Sequence, residues 1–254
     1  MPGPVTSILM YHSVSEVGGA TAIPPEVFAM QMRLLAESGV PVLTLDEWLA
    51  ARVAGSLPAR SVVITFDDGF RDFDERAWPV MKPLGFRPII YLPTGFVGRA
   101  EGWKGIGSPP RRLMGWDRII RLADEGVLFG SHTVSHPDLN ALPPEAQLAE
   151  LTVAKRAVEA KLRATIRHFA PPYGLAGPQV RRRIAGLYAT SVGTRLGEAG
   201  PGDDLHDLPR IEMFYFTDEA RWRAHLAGRG GAYLARRKAL RWIKARLMTP
   251  WKGL

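Results

Sequence analysis

Short apolar runs alternate along this chain with segments of helical periodicity, and that alternation limits the folds available to it. Residues 61–66 (SVVITF) form a continuous apolar, β-branched run, which is typical of a strand covered on both faces. Residues 24–38 place apolar side chains at helical spacing behind two prolines. Strands that alternate with helices predict an α/β domain built on a mostly parallel sheet. Periodicity alone does not decide whether that sheet closes into a barrel or stays open.

The same reasoning divides the whole chain into elements. We expect strands over residues 5–11, 40–45, 61–66, 86–92, 127–131, 166–170, 188–192 and 208–214. We expect helices over residues 24–38, 47–53 with Asp46 as its cap, 70–82, 116–124, 143–162, 178–185, 218–226 and 231–247. The long helix should turn inward Leu148, Leu151, Val158 and Leu162. Residues 97–115, rich in Gly, Pro and Arg, are predicted to be a long surface loop.

Composition excludes several kinds of site. The 254 residues can bury a sizeable core without a disulfide or metal staple. The chain contains no cysteine, which excludes disulfide scaffolds, cysteine nucleophiles, iron–sulfur clusters and cysteine-ligated zinc. No apolar run approaches the roughly 20 residues that span a bilayer. The first residues also lack the basic start and apolar stretch of a signal peptide, so we expect a cytoplasmic protein.

The positive charge is concentrated at the C-terminal end. Of the 33 Lys and Arg residues, ten lie after Glu219, where there is no Asp or Glu. The rest of the chain is close to neutral, which argues against a nucleic-acid partner. We therefore expect a catalytic domain over residues 1–226 and a basic amphipathic helical tail over residues 227–254.

Two interpretations of this tail remain open. Its apolar side carries Leu240, Ile243 and Leu247, and its basic side carries Arg237, Arg241 and Lys244. Such a helix can lie on an anionic membrane, here its inner face. It can equally pack on the domain and leave a solvated basic side.

Two adjacent carboxylates, Asp67 and Asp68, directly follow the apolar run 61–66. Burying charge at a strand end costs free energy unless something uses it. Gly69 lets the backbone turn, so that both side chains can face the strand-end cleft. One carboxylate could then bind a metal while the other acts as a base. A solvated turn or a helix N-cap is the alternative.

Two histidines, His132 and His136, follow the predicted strand 127–131. Their spacing suits one metal ion if the segment makes a single turn. Carboxyl ends of parallel strands share one rim, so Asp68 should meet them there. Asp, His and His form a three-ligand set, and catalytic zinc keeps its fourth position open for water. The alternative is two unrelated surface histidines.

Two further segments end at the same predicted rim. His12 follows the first strand, and the Pro-Pro-Tyr-Gly turn with Pro172 and Tyr173 follows the strand 166–170. His12 is equally compatible with a packed or capping histidine. A proline-rich turn is also ordinary in a protein without a site there.

These motifs together resemble those of the polysaccharide deacetylases, the NodB-homology group or carbohydrate esterase family four. The resemblance spans residues 8–214 and rests on Thr-Phe-Asp-Asp-Gly, Ser-His-Thr-x-Ser-His-x-x-Leu and Phe-x-Pro-Pro-Tyr-Gly, in that order. It implies a distorted (β/α)7 barrel and metal-dependent removal of acetyl groups from N-acetylated sugars of a polysaccharide or oligosaccharide. It also implies Asp67 as base, a divalent metal, most often zinc, on Asp68, His132 and His136, and the Tyr173 N–H at the oxyanion. We place Pro172 and Trp116 at the substrate as well, and Trp103, Trp116 and Tyr173 could stack on sugar rings.

The sequence departs from the family pattern in two places. The third motif commonly begins with an arginine that holds the base, and Ala170 stands there instead. We expect Arg210 to replace it. The late Leu-x-His motif is absent, and the opening Ile-Leu-Met-Tyr-His resembles a permuted branch that includes biofilm-glycan deacetylases. In that branch an N-terminal histidine takes the place of the late one, so we expect His12 to be the general acid.

Two other functions remain compatible with the sequence. The resemblance also covers hydrolysis of a non-sugar C–N bond, such as that of a cyclic amide or formamide. With Ala170 at the arginine position, an inactive glycan-binding module is the other alternative.

Overall fold

The computed structural model describes residues 3–17, 21–103 and 110–247, with side chains up to residue 243. Seven parallel strands close into a barrel, so the predicted (β/α)7 barrel is confirmed. Around the barrel the order is β1, β4, β5, β6, β7, β8 and β9, with β9 pairing back onto β1. Their bounds are Val5–Tyr11 (β1), Arg60–Phe66 (β4), Ile89–Leu92 (β5), Leu128–Ser131 (β6), His168–Phe169 (β7), Thr190–Leu196 (β8) and Leu208–Glu212 (β9). Two short strands, Ser13–Val14 (β2) and Ala22–Ile23 (β3), pair outside the barrel.

Helices follow most barrel strands, as the alternation predicts. They are Pro25–Ser38 (α1), Leu45–Val53 (α2), Trp78–Met81 (α3), Trp116–Asp124 (α4), Pro144–Leu162 (α5), Pro178–Ala185 (α6), Glu219–Leu226 (α7) and Gly231–Leu247 (α8). The predicted helix 70–82 is irregular, because a π-helical turn over Phe73–Ala77 precedes α3 and a 3-10 turn over Lys82–Leu84 ends it. Among the described residues, no helix has the length and apolar character needed to cross a bilayer.

One predicted strand is wrong. In the range 40–45 the structure has an isolated bridge from Val42 to Val62, and α2 begins at Leu45. Thr44 is the cap in place of the predicted Asp46. The Thr44 side chain accepts a hydrogen bond from the Glu47 amide, and the Glu47 side chain accepts one from the Thr44 amide. These two bonds form a reciprocal capping box. This box starts the helix before a strand can form.

Alternation along the strands builds two apolar layers. Ile8 and Val63 belong to a cluster inside the barrel, whereas Leu9 and Ile64 pack in the layer under the helices. The outer layer includes Leu151 and Val158 of α5. Leu148, predicted to face inward, is 47% exposed, because Gln147 occupies the buried position of that turn.

The C-terminal helix packs on the barrel through its first half. Leu234 is buried, and the Tyr233 hydroxyl donates to the carbonyl of Tyr215. The Arg237 guanidinium lies 4.0 Å from the centre of the Tyr215 ring. The predicted basic side therefore partly faces the protein. The domain boundary at residue 226 stays a prediction, and residues 248–254 of the predicted tail lie outside the described range.

Candidate active site

Parallel register brings the first two polar residues together. Tyr11 at the end of β1 is opposite Phe66 at the end of β4, and the Asp67 amide donates to the Tyr11 carbonyl at 2.9 Å. His12 and Asp67 therefore leave the barrel side by side. The His12 Nε2 atom lies 3.8 Å from Asp67 Oδ2.

Asp67 is bound by Arg210, the residue that we expected to replace the motif arginine. Arg210 Nη1 and Nη2 each donate to one oxygen of Asp67 at 2.7 Å. Arg210 also donates to the Gly193 carbonyl at 2.8 Å and to Thr65 Oγ1 at 3.1 Å, and it is only 1% exposed. Burial by itself raises the pKa of Asp67, but the Arg210 charge and hydrogen bonds hold that pKa below its ordinary value. The pair thus keeps Asp67 ionised and fixes the direction of its oxygens.

A sharp reversal after Asp67 presents the second carboxylate. Asp68 and Gly69 both have left-handed backbone, with φ of 70° and 69°. A Cβ on Gly69 would lie 2.6 Å from Leu92 Cδ2, so the turn requires glycine. Asp68 Oδ1 then lies 3.4 Å from His132 Nε2 and 3.3 Å from His136 Nε2.

The strand β6 delivers His132 to this point with a defined tautomer. Ser131 is opposite Phe169 of β7, so His132 lies beside Ala170. Its Nδ1 atom donates to the Ala170 carbonyl at 2.6 Å. In the neutral imidazole, Nε2 then carries the lone pair, and this nitrogen faces Asp68.

A tight turn brings His136 back beside His132. Thr133 and His136 have positive φ, and the His136 amide donates to Thr133 Oγ1 at 3.1 Å. Glu150 of α5 accepts the amides of Val134 and Ser135 at 2.7 and 2.9 Å. Sequence reasoning missed Glu150, because one glutamate among many on a helix gives no signal that it holds a distant turn.

These three side chains fit a divalent cation. One ligand atom from each of Asp68, His132 and His136 lies within 4.8 Å of the others, and all three side chains are buried. Asp68 Oδ1 has no hydrogen-bond partner among the described residues. An orphaned buried carboxylate oxygen is costly, and a cation satisfies it. Two imidazole nitrogens and one carboxylate oxygen are a donor set that suits zinc.

A cavity of about 330 Å³ opens over this cluster. Its walls include His12, Asp67, Trp103, Tyr173, Met213 and Phe214. Tyr173 is half exposed with φ of 60°, and its ring meets His136 edge-on at 4.8 Å. Pro172 is buried at the start of the short turn that carries Tyr173, and it is not among the residues that line the cavity, so the structure does not place it at the substrate as predicted.

The structure corrects the placement of Trp116. Of the tryptophans in the described part of the chain, Trp103 lines the cavity and Trp116 does not. Trp116 begins α4 and packs on the hydrophobic core, with Lys161 Nζ 5.8 Å from its ring centre. Trp103 lines the cavity, whereas Trp116 lies in the first turn of α4 and packs on the core.

Comparisons with known proteins agree on one family. The sequence matches the family model described as Polysaccharide deacetylase over residues 54–191. The Bacillus subtilis (strain 168) protein YxkH is 27% identical over 208 residues, which are 81% of this chain and 70% of YxkH. A poly-beta-1,6-N-acetyl-D-glucosamine N-deacetylase of Staphylococcus aureus (strain MSSA476) is 29% identical over 94 residues, 37% of this chain and 32% of that enzyme. The structure of IcaB from Ammonifex degensii is 25% identical, with a TM-score of 0.74 over 90% of this chain and 98% of IcaB.

Proposed function

Because the chain belongs to the polysaccharide deacetylase family, we propose that it removes acetyl groups from N-acetylated sugars of a polysaccharide or oligosaccharide. The products are acetate and a free amine. One observation carries this proposal: Asp68, His132 and His136 converge beside an ionised Asp67 that Arg210 holds in the same cavity.

Asp68, His132 and His136 would hold the divalent metal, for which we propose zinc. When bound, zinc polarises a carbonyl and lowers the pKa of water to about 7. The His132 Nδ1 bond to Ala170 keeps the opposite nitrogen free to ligate.

The protein groups divide the proton transfers between them. Asp67 accepts the proton of the attacking water, and Arg210 keeps it ionised by supplying the contact that the motif arginine at position 170 would make. His12, 3.8 Å from Asp67, protonates the leaving amine. The Tyr173 N–H donates to the developing oxyanion, and such a donor contributes about 10²–10³ in rate.

Acetate release over a panel of N-acetylated glycans tests the proposal directly. We expect release from at least one glycan, and we expect a chelator to lower it by at least about 100-fold, because a Lewis acid contributes several kcal/mol. Added zinc should restore the rate. Activity only on a non-sugar amide would favour the alternative hydrolase, and glycan binding without release would favour the inactive module.

A second proposal concerns where the enzyme works. The outer side of α8 carries Leu240, Trp242 and Ile243, which are 46%, 56% and 44% exposed. Arg236 and Lys238 are exposed on the same helix. Arg237 lies on Tyr215, and Arg241 pairs with Glu212 at 3.1 Å, so two residues of the predicted basic side face the barrel. The side chains of Lys244 and Leu247 lie outside the described range.

We propose that this outer side of α8 lies on an anionic membrane surface, such as the inner face of the cytoplasmic membrane. Exposed apolar side chains flanked by arginine and lysine match an anionic interface. No acidic residue follows Glu219 to oppose such binding. A glycan that is lipid-linked or still being made would then be within reach.

Substitutions on α8 test the membrane proposal better than truncation after Leu226, which would also remove the buried Leu234. We expect the double variant Leu240→Glu, Trp242→Glu to lose at least about tenfold in affinity for phosphatidylglycerol-containing vesicles, since each apolar side chain contributes about 1.5–3 kcal/mol when buried. Co-sedimentation measures the binding. Val153→Glu on α5, where Val153 is 52% exposed, is the matched control. Equal binding by the double variant and the control would refute the proposal.

A further inference from the structure

We propose that Trp103 is a positioning residue for the metal ligand His136, and that a buried Glu101–Arg111 ion pair holds Trp103 in place. The inference rests on the metal site of the proposed function. It assigns a role in metal binding to a loop that carries none of the sequence motifs.

The two histidine ligands are oriented by different means. His132 is fixed by its hydrogen bond to Ala170. The Nδ1 atom of His136 is buried without a hydrogen-bond partner among the described residues. Metal-binding histidines usually have their second nitrogen fixed by such a bond. His136 therefore needs another constraint on its ring.

Ring packing supplies that constraint. The Trp103 indole stacks on His136 with ring centres 4.0 Å apart and an angle of 16° between the planes. Tyr173 meets the same ring edge-on at 4.8 Å. Phe96 in turn supports Trp103 edge-on at 5.0 Å. Rotation of His136 away from Asp68 would break the stack with Trp103.

The Glu101–Arg111 ion pair lies in the same loop as Trp103 and is buried. The Glu101 side chain is fully buried, and it accepts bonds from Arg111 Nε at 2.8 Å, Nη2 at 2.9 Å and the backbone amide at 3.0 Å. The Arg111 guanidinium lies 3.9 Å from the centre of the Phe70 ring. A Cβ on Gly102 would lie 2.6 Å from Phe96 Cε1, so glycine allows the chain to pass from Glu101 to Trp103.

This arrangement ties the loop to the turn that carries Asp68. The Met114 amide donates to the Gly69 carbonyl at 3.0 Å, and the Arg71 amide donates to the Arg112 carbonyl at 2.9 Å. The segment that holds Trp103 is thus anchored to the same backbone as the carboxylate ligand. Asp68 and the ring support of His136 are set by one connected structure.

Metal affinity tests the inference independently of turnover. We measure zinc binding by competition with a chromophoric chelator, and we expect Trp103→Ala to weaken it by about 10–100-fold, the usual effect of removing a group that orients a ligand. Trp103→Phe keeps a flat ring and should recover most of the affinity. Unchanged zinc affinity in Trp103→Ala, with only KM raised, would show that Trp103 is a sugar platform and overturn the inference.

The ion pair is tested by coupling. Glu101→Gln should weaken zinc binding in the wild-type background but add little in Trp103→Ala, because both changes act through the same stack. Glu75→Gln, in the exposed pair with Arg71, is the control and should change nothing. If the two effects on zinc binding were additive, Glu101 and Trp103 would act independently, and the proposed role of the ion pair would be wrong. Zinc binding without acetate release in the wild type would refute the proposed function alone, whereas absence of zinc binding would refute both.

Discussion

Replacing Arg210 with alanine is expected to lower acetate release at pH 7 by at least about 100-fold, the usual lower range for losing a general base. Asp67 is 4% exposed, and without Arg210 its burial would raise the carboxyl pKa and favour the neutral acid. A protonated Asp67 cannot accept a proton. The acidic limb of the kcat/KM profile should therefore move to higher pH, with partial recovery of the rate in alkaline buffer.

The same substitution should also lower stability, by about 3–5 kcal/mol, because it removes one partner of a buried ion pair. Arg210→Lys keeps the charge and loses the two-point contact, so it should fold and have intermediate activity. Arg195→Ala is the control, since Arg195 is half exposed and its pair with Asp203 contributes at most about 1 kcal/mol. A folded Arg210→Ala enzyme with an unchanged pH profile would show that Arg210 does not hold the base.

Topology explains why the convergence of Asp68, His132 and His136 was predictable. Asp68 and His132 each end or follow a strand whose apolar run is evident in the sequence. Since parallel strands place their carboxyl ends on one rim, residues far apart in the chain had to converge there. Closure of the barrel could not be predicted from periodicity. It depends on pairing between β1 and β9, where Leu9 is opposite Ile211 and Met10 is opposite Glu212. Local periodicity is the same whether or not the first and last strands meet.

The two misplaced residues, Trp116 and the predicted cap Asp46, have different physical causes. Trp103 and Trp116 both follow a glycine, so the local sequence does not indicate which of them lines the cavity. Trp103 closely follows Glu101, whose buried pairing with Arg111 has no periodic signal in the sequence. The cap at Thr44 was missed because Asp46 is an equally good capping residue, and the reciprocal bond with Glu47 decides between them.

Replacing Asp67 or Asp68 with asparagine is expected to abolish activity in both cases, but for different reasons. Asp68→Asn removes a charged ligand and should weaken zinc binding by more than about 100-fold, beyond the 10–100-fold typical of groups that only orient ligands. Asp67→Asn should leave zinc affinity within a few-fold and lower kcat by about 10²–10⁴, the range for losing a general base. Chelator competition and acetate release on the same preparations measure the two quantities.

The Asp67 substitution leaves Arg210 buried without a counter-charge, so its fold must be verified. The double variant Asp67→Asn, Arg210→Met removes both charges, and replacing a buried pair by groups of similar size is often neutral for stability. It should therefore bind zinc, remain folded and still lack activity. The two substitutions should affect different quantities because the two carboxylates have different partners. Both oxygens of Asp67 accept hydrogen bonds from Arg210, whereas Asp68 Oδ1 faces the two histidines. If zinc binding fell equally in both single variants, Asp67 would be a fourth ligand, and the water-activating role would have to pass to another group such as His12.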